Sequence, residues 1–165
     1  MTIQNRLKNK IMALSLYPIS AYTYIKGIKK YSNINGYMTF QQMAKTVLVS
    51  VYVEGLPYKK GACNGEIFGF HIHSGKSCTG TKNEPLKDAD GHFNPNNCKH
   101  PHHAGDMPPL FGNNGEAFMT FETNRFSVRE IINRVVIIHR NPDDFTTQPS
   151  GDSGEMIACG KIYKK

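Results

Sequence analysis

No stretch of the 165 residues is long enough or apolar enough to span a membrane, which takes about twenty consecutive apolar residues. Runs with helical spacing are scarce, so a helical framework is not expected. The cysteines, Cys63, Cys78, Cys98 and Cys159, include no CxxC pair, which argues against a cysteine-only zinc ribbon. No HExxH is present, so the helix-borne base of a zinc hydrolase is missing. Basic residues are not interleaved with aromatics along a groove-like stretch, and nucleic acid is not an expected partner. The formal net charge of +7 attracts anions in general and says nothing about fold. There is no internal repeat and no sign of a second domain.

Glycine and proline are frequent, at 15 and 9 residues. With so little helix, this composition points to many short strands joined by loops. Val47, Val49, Val51 and Val53 alternate with Leu48, Ser50, Tyr52 and Glu54, a strand pattern. Gly55 to Pro57 ends it. Residues 67–73 read IFGFHIH. The period of two puts Phe68, Phe70 and Ile72 on one face and Gly69, His71 and His73 on the other. Further strands are expected at residues 116–122, 134–139 and 156–163, and two or three short ones within 21–42. Ser127 and Glu130 have capping-box spacing and predict a short helical turn. Residues 74–114 are rich in Gly, Asn, Pro and His. A loop of that length inside a compact domain is functional or disordered. Residues 1–20 form an extension. Lys8 and Lys10 before IMALSLYPIS faintly resemble a leader, interrupted by Ser15, Tyr17 and Pro18. The domain proper is expected to run from 21 to 165.

All 7 histidines fall between His71 and His139. Imidazole suits copper and zinc. His71 and His73 share one strand face and can chelate one ion. His92, His100 and His103, with Asp106 three residues after His103, supply three nitrogens and a carboxylate, enough for a closed tetrahedral zinc shell. Metal would then order the long loop. The competing reading is adventitious, with HPHH at residues 100–103 a compositional accident. The joint pattern favours a metal site.

GFHIH at 69–73, GHFNP at 91–95, HAGD at 103–106, VIIH ending at His139 and ACG at 158–160 resemble, in order, the signature blocks of copper/zinc superoxide dismutases. The resemblance covers roughly residues 47–162. It implies an all-β fold, a Greek-key β-sandwich or barrel of about eight strands with long metal-binding loops. It implies copper on His71, His73, His92 and His139, and zinc on His92, His100, His103 and Asp106. His92 would bridge the ions and carry a proton. Asp143 would be the carboxylate that hydrogen-bonds ligands of both metals, and Cys78 would pair with Cys159. The implied reaction is disproportionation of superoxide to oxygen and hydrogen peroxide. A weakly active or non-catalytic metal-binding relative is the alternative.

Some features depart from the pattern. The family places an arginine three residues before the last-strand cysteine, and here that residue is Met156, which has no charge to hold an anion. Residues 140–158 contain one Arg and no Lys beside Asp143, Asp144, Asp152 and Glu155. Arg140 follows His139 and should point away from it. His100 and His103 are closer together than in the family, leaving open which of His102 and His103 reaches zinc. His102 reads otherwise as a solvated loop residue. Cys63 and Cys98 are either a second disulfide or small buried thiols. A homodimer is compatible with the resemblance, whose members differ in oligomeric state. A disulfide favours an oxidising compartment. The weak leader favours the cytoplasm, to which the balance leans, with export the alternative.

Overall fold

The alternating valines of 47–53 sit in the strand their spacing dictates. β3 (Val47–Glu54) buries every second residue, and each buried branched side chain contributes about 1.5–3 kcal/mol through removal from water. The computed structural model describes residues 19–61 and 66–165. The expected extension, apart from its last residues, and Cys63 lie outside the described residues.

β3 pairs with β2 (Asn35–Gln42) on one side and β7 (Ala117–Thr123) on the other. β2 pairs in turn with β1 (Ser20–Gly27), and β1 with β9 (Met156–Lys161) and β10 (Tyr163–Lys164). β9 pairs with β8 (Val135–His139), and β8 with β5 (Phe70–His73). All pairs are antiparallel, in an eight-stranded sheet of order β5-β8-β9-β1-β2-β3-β7 with β10 beside β1. A second pair joins β4 (Ile67–Phe68) to β6 (Leu110–Phe111). β4 and β5 are one extended run interrupted at Gly69, where a strand was expected without a break. Its first half pairs with β6 and its second with β8. The curled sheet is thereby closed toward a barrel. β3 and β4, and likewise β7 and β8, follow one another in the chain without pairing, the Greek-key pattern. The fold is all-β, as the resemblance implied.

The barrel interior holds Ile25, Met38, Phe40, Phe68, Phe70, Ile72, Leu110, Val136, Ile138 and the β3 valines. The helical turn α1 (Val128–Ile131) has its capping box. The Ser127 backbone N–H donates to Glu130 Oε2 at 2.7 Å and the Ser127 hydroxyl at 2.6 Å. A smaller cluster, Leu86, Ala89, Val135, Ile137 and Cys159, lies on the outer face of β8 and β9, with Cys78 and Met156 packed against it. The long loop after β5 covers this face, and Cys78–Cys159 ties the two together across 81 residues. No helix among the described residues is long and apolar enough to cross a membrane.

Candidate metal centre

β5 is buried on both faces. Phe70 and Ile72 enter the barrel, so His71 and His73 must face the long loop. His139 ends β8 opposite Gly69, its N–H donating to the Gly69 carbonyl at 2.8 Å. It therefore joins His71 and His73 on the same side.

The loop is held to the free edge of β5 by backbone pairing. Ile72 N–H donates to the Gly105 carbonyl at 2.9 Å, and the Ile72 carbonyl accepts from Phe93 N–H at 2.8 Å. These bonds set His92 beside His73 and Asp106 beside His71. Phe93 and Met107 anchor the same segments in the barrel core. Arg134 stacks on the Phe93 ring at 4.0 Å and donates to the Ser74 carbonyl at 2.8 Å.

Two groups of potential ligands result, His71, His73, His92 and His139, and His92, His100, His103 and Asp106. Within each group the ligand atoms lie within 4.8 Å of one another, all the residues are buried, and His92 belongs to both. His103 is in the second group, whereas His102 is exposed.

Hydrogen bonds select which ring nitrogen of each histidine is left free. Asp143 accepts from His71 Nε2 at 2.7 Å and from His100 Nε2 at 2.9 Å. His73 Nδ1 donates to the Asp90 carbonyl at 2.6 Å, and His139 Nδ1 to the Gly154 carbonyl at 3.3 Å. What remains points inward. His71 Nδ1, His92 Nε2, His100 Nδ1 and His103 Nδ1 are buried without a hydrogen-bond partner. His73 Nε2 and His139 Nε2 face each other at 3.2 Å. Buried polar atoms are normally satisfied, and six unprotonated imidazole nitrogens converging in two groups are satisfied by cations. Asp106 completes the second group, with its oxygens 2.8 Å from His92 Nδ1, 3.2 Å from His100 Nδ1 and 3.4 Å from His103 Nδ1. The donor set fits copper and zinc, both of which accept imidazole, with one carboxylate suited to zinc.

The protonation states agree. Burial holds His73 well below the usual histidine range and His139 down to about 3, so both rings stay neutral. Burial also lowers His71 and His103. Burial by itself would raise Asp143, but hydrogen bonds from His71, the Phe145 N–H and His100 outweigh it and hold the carboxyl well below its ordinary range. Asp106 is likewise lowered, its burial outweighed by His92 and the neighbouring imidazoles. At neutral pH, metal therefore has little competition from protons. Close approach also fixes Gly151. Its φ is +68°, and a Cβ there would lie 2.0 Å from Asp143 Oδ1.

A family model for copper/zinc superoxide dismutase (SODC) matches residues 34–162. The chain belongs to the copper/zinc superoxide dismutase family. It is 32% identical over 145 residues to the Cu-Zn superoxide dismutase of Deinococcus radiodurans, covering 77% of this chain and 76% of the relative. It is 34% identical over 131 residues to Cu-Zn superoxide dismutase 2 of Aquifex aeolicus, covering 70% and 71%. It is 33% identical over 135 residues to the Cu-Zn superoxide dismutase of Legionella pneumophila, covering 77% and 76%. Copper and zinc are the cofactors of this dismutase family.

A cavity of about 720 Å³ opens onto both ligand groups and is lined by His73, His92, His103, His139, Met156 and Lys99, among others. Met156 stands in this wall. Arg140 turns away, to Glu66 at 3.3 Å and toward the Phe68 ring. Lys99 is the one cationic side chain of the lining among the described residues. Sequence reasoning missed it because it searched the segment around Met156 for cations, and Lys99 reaches the same cavity from the other loop. Its signal was adjacency to His100. Cys98, also in the lining, is a free, half-buried thiol.

Proposed function

We propose that the chain disproportionates superoxide, two anions and two protons giving one oxygen and one hydrogen peroxide, with copper on His71, His73, His92 and His139 and zinc on His92, His100, His103 and Asp106. The observation that carries this reading is the membership of His92 in both groups, one ring nitrogen toward each. Copper, when bound, supplies the one-electron couple, and zinc supplies fixed positive charge.

The protein's own contribution is positional. Asp143 orients His71 and His100 together, so the two groups are held in register. The carbonyls of Asp90 and Gly154 fix the tautomers of His73 and His139. His92 Nε2, free of any protein partner and in the cavity wall, is the atom placed to take up and return a proton. Lys99 gives the cavity its positive side chain, and the barrel and loop exclude water from His71 and His100.

Met156 favours a second reading, a metal-binding relative with little turnover. Copper and zinc stoichiometry and superoxide turnover measured on one sample decide between them. Turnover proportional to bound copper supports the enzyme, and one copper per chain with negligible turnover establishes the second reading.

A further inference from the structure

The fold supports the two ligand groups unequally. His71, His73 and His139 stand on β5 and β8, whose pairing fixes their backbone. His92 and Asp106 are pinned to the free edge of β5. His100 and His103 have neither support. They lie between Phe93 and Gly105, where the chain runs as loop and turns. A ligand whose backbone drifts cannot complete a tetrahedral shell, because ligand distances are fixed to within about 0.2 Å.

Two side chains from other loops take the place of a strand. Gln148, in the loop after β8, meets the backbone of His100 with both ends of its amide. Its Oε1 accepts from the His100 N–H at 3.0 Å, and its Nε2 donates to the His100 carbonyl at 2.7 Å. That exchange of two bonds is what a residue on a neighbouring antiparallel strand would make. Arg125, between β7 and α1, donates from Nη1 to the Pro101 carbonyl at 2.7 Å and to the His103 carbonyl at 3.2 Å. Its own N–H donates to Thr123 Oγ1, at the end of β7, at 3.2 Å. The two clamps bracket residues 100–103. Within that bracket His103 N–H donates to Asp106 Oδ2 at 3.0 Å, while His102 is exposed.

We propose that Gln148 and Arg125 are positioning residues of the zinc group, which act through the backbone of His100 and His103 and decide which metal that group holds. The inference rests on the zinc assignment above. Asp143 sets the His100 ring and Gln148 sets the chain that carries it, both from one loop. The copper group draws its rigidity from β5 and β8 and does not depend on either clamp. Selectivity follows from rigidity. A nitrogen site left to itself binds copper more tightly than zinc, so a protein selects zinc by enforcing geometry. Loosening the clamps therefore weakens zinc and admits copper in its place.

Metal competition on the full-length protein tests this, with zinc and copper read separately against a chelator. Gln148→Leu is close to glutamine in size and removes both amide bonds. It is expected to weaken zinc by about tenfold and leave the copper group's affinity unchanged. Arg125→Leu should do the same, and the double variant should lose about a hundredfold, since the clamps share no bonding partner. Arg125→Lys keeps a donor and is expected to recover most of the loss. Loaded with equimolar copper and zinc, the natural sequence is expected to hold one of each, and the double variant more than one copper per chain. Co(II) placed in the zinc group reports the same geometry through its visible bands, which should weaken in Gln148→Leu. Thr147→Val is the control. It removes a hydroxyl bond to Asp144 at 2.5 Å in the same loop, and zinc affinity should not change. Equal loss of both metals in the Leu variants overturns the proposal, as does a Thr147→Val variant that loses zinc as far as Gln148→Leu. Unchanged zinc affinity and cobalt bands in the double variant overturn it too. A natural-sequence protein that binds copper but takes neither zinc nor cobalt overturns the zinc assignment and the inference with it, and shows this before any substitution is made.

Discussion

The Nε2 atoms of His73 and His139 lie 3.2 Å apart, while each ring's Nδ1–H is committed to a backbone carbonyl. No proton is available between them while both rings are neutral, and burial keeps them so. Two lone pairs therefore face each other across a gap that a cation fills. Without metal, the arrangement costs stability in acid. A histidine with its folded pKa below the unfolded value binds fewer protons when folded, so unfolding is favoured as pH falls. For His139 the window runs from 6.5 down to about 3. The metal-free protein is expected to lose roughly 1.4 kcal/mol per pH unit for each such histidine there, stability being fully present above the window. Urea unfolding at a series of pH values measures the slope, and a flat profile from pH 7 to pH 4 contradicts it.

Asp143 holds one histidine of each ligand group. Asp143→Asn replaces an acceptor pair by a side chain with one acceptor, so one of the two rings loses its anchor. Metal affinity is expected to fall by about 10- to 100-fold. Gly151→Ala should act in the same direction, because its Cβ would collide with the same carboxylate. Chelator competition reads both effects. Unchanged affinity for both metals in Asp143→Asn would remove the carboxylate from its positioning role.

Met156 and Lys99 share the cavity wall. Met156→Arg adds a charged donor where the anion passes and is expected to raise kcat/KM by about tenfold to a hundredfold, the worth of one charge-assisted hydrogen bond of ~1.5–3 kcal/mol. Lys99→Glu should lower kcat/KM and invert the salt dependence, since screening then removes repulsion instead of attraction. Pulse radiolysis at two ionic strengths checks both. No gain in fully metallated Met156→Arg would mean that anion guidance does not limit this enzyme.

The Cys78–Cys159 bond closes a loop of 81 residues between the metal-binding loop and β9. Constraint of the unfolded chain makes such a bond worth about 4 kcal/mol. Reduction, or a Cys159→Ser substitution, is expected to lower denaturant stability by that order and loosen the small core on the outer face of β8 and β9. Thermal melts with and without reductant on the metal-free protein give the comparison. A shift of zero would place the loop under the control of its backbone pairing to β5 alone.

Much of this was legible in the residues. The valines of 47–53 and the FHIH of 70–73 carry the strand period on their face, because pleating sends alternate side chains to opposite sides. The Ser127–Glu130 spacing marked its helical turn. Asn114-Gly115 was a readable sign that went unused. Both residues have positive φ, at 52° and 90°, as a two-residue hairpin turn demands. The strand break at Gly69 and the split of the last strand at Ile162 were not legible, since pairing partners, not propensity, decide where a strand changes neighbour.

The sequence by itself determined the all-β class and the family. It also named a ligand set whose types and intervals had no bland explanation together. Tertiary structure decided what no interval encodes. Backbone bonds from Ile72 to Phe93 and Gly105 bring His92 within reach of both groups. Hydrogen bonds donated to the Asp143 carboxylate and to the Asp90 and Gly154 carbonyls leave one chosen nitrogen free on each of the donor histidines. Lys99 reaches the cavity of Met156 because two loops distant in sequence fold over the same face of the barrel. Tyr24, Tyr37, Tyr52 and Phe118 stand side by side because register aligns residues from four strands. In each case the physical reason is the same. Residue types fix what a side chain can bind, and the pairing of strands and loops fixes what it meets.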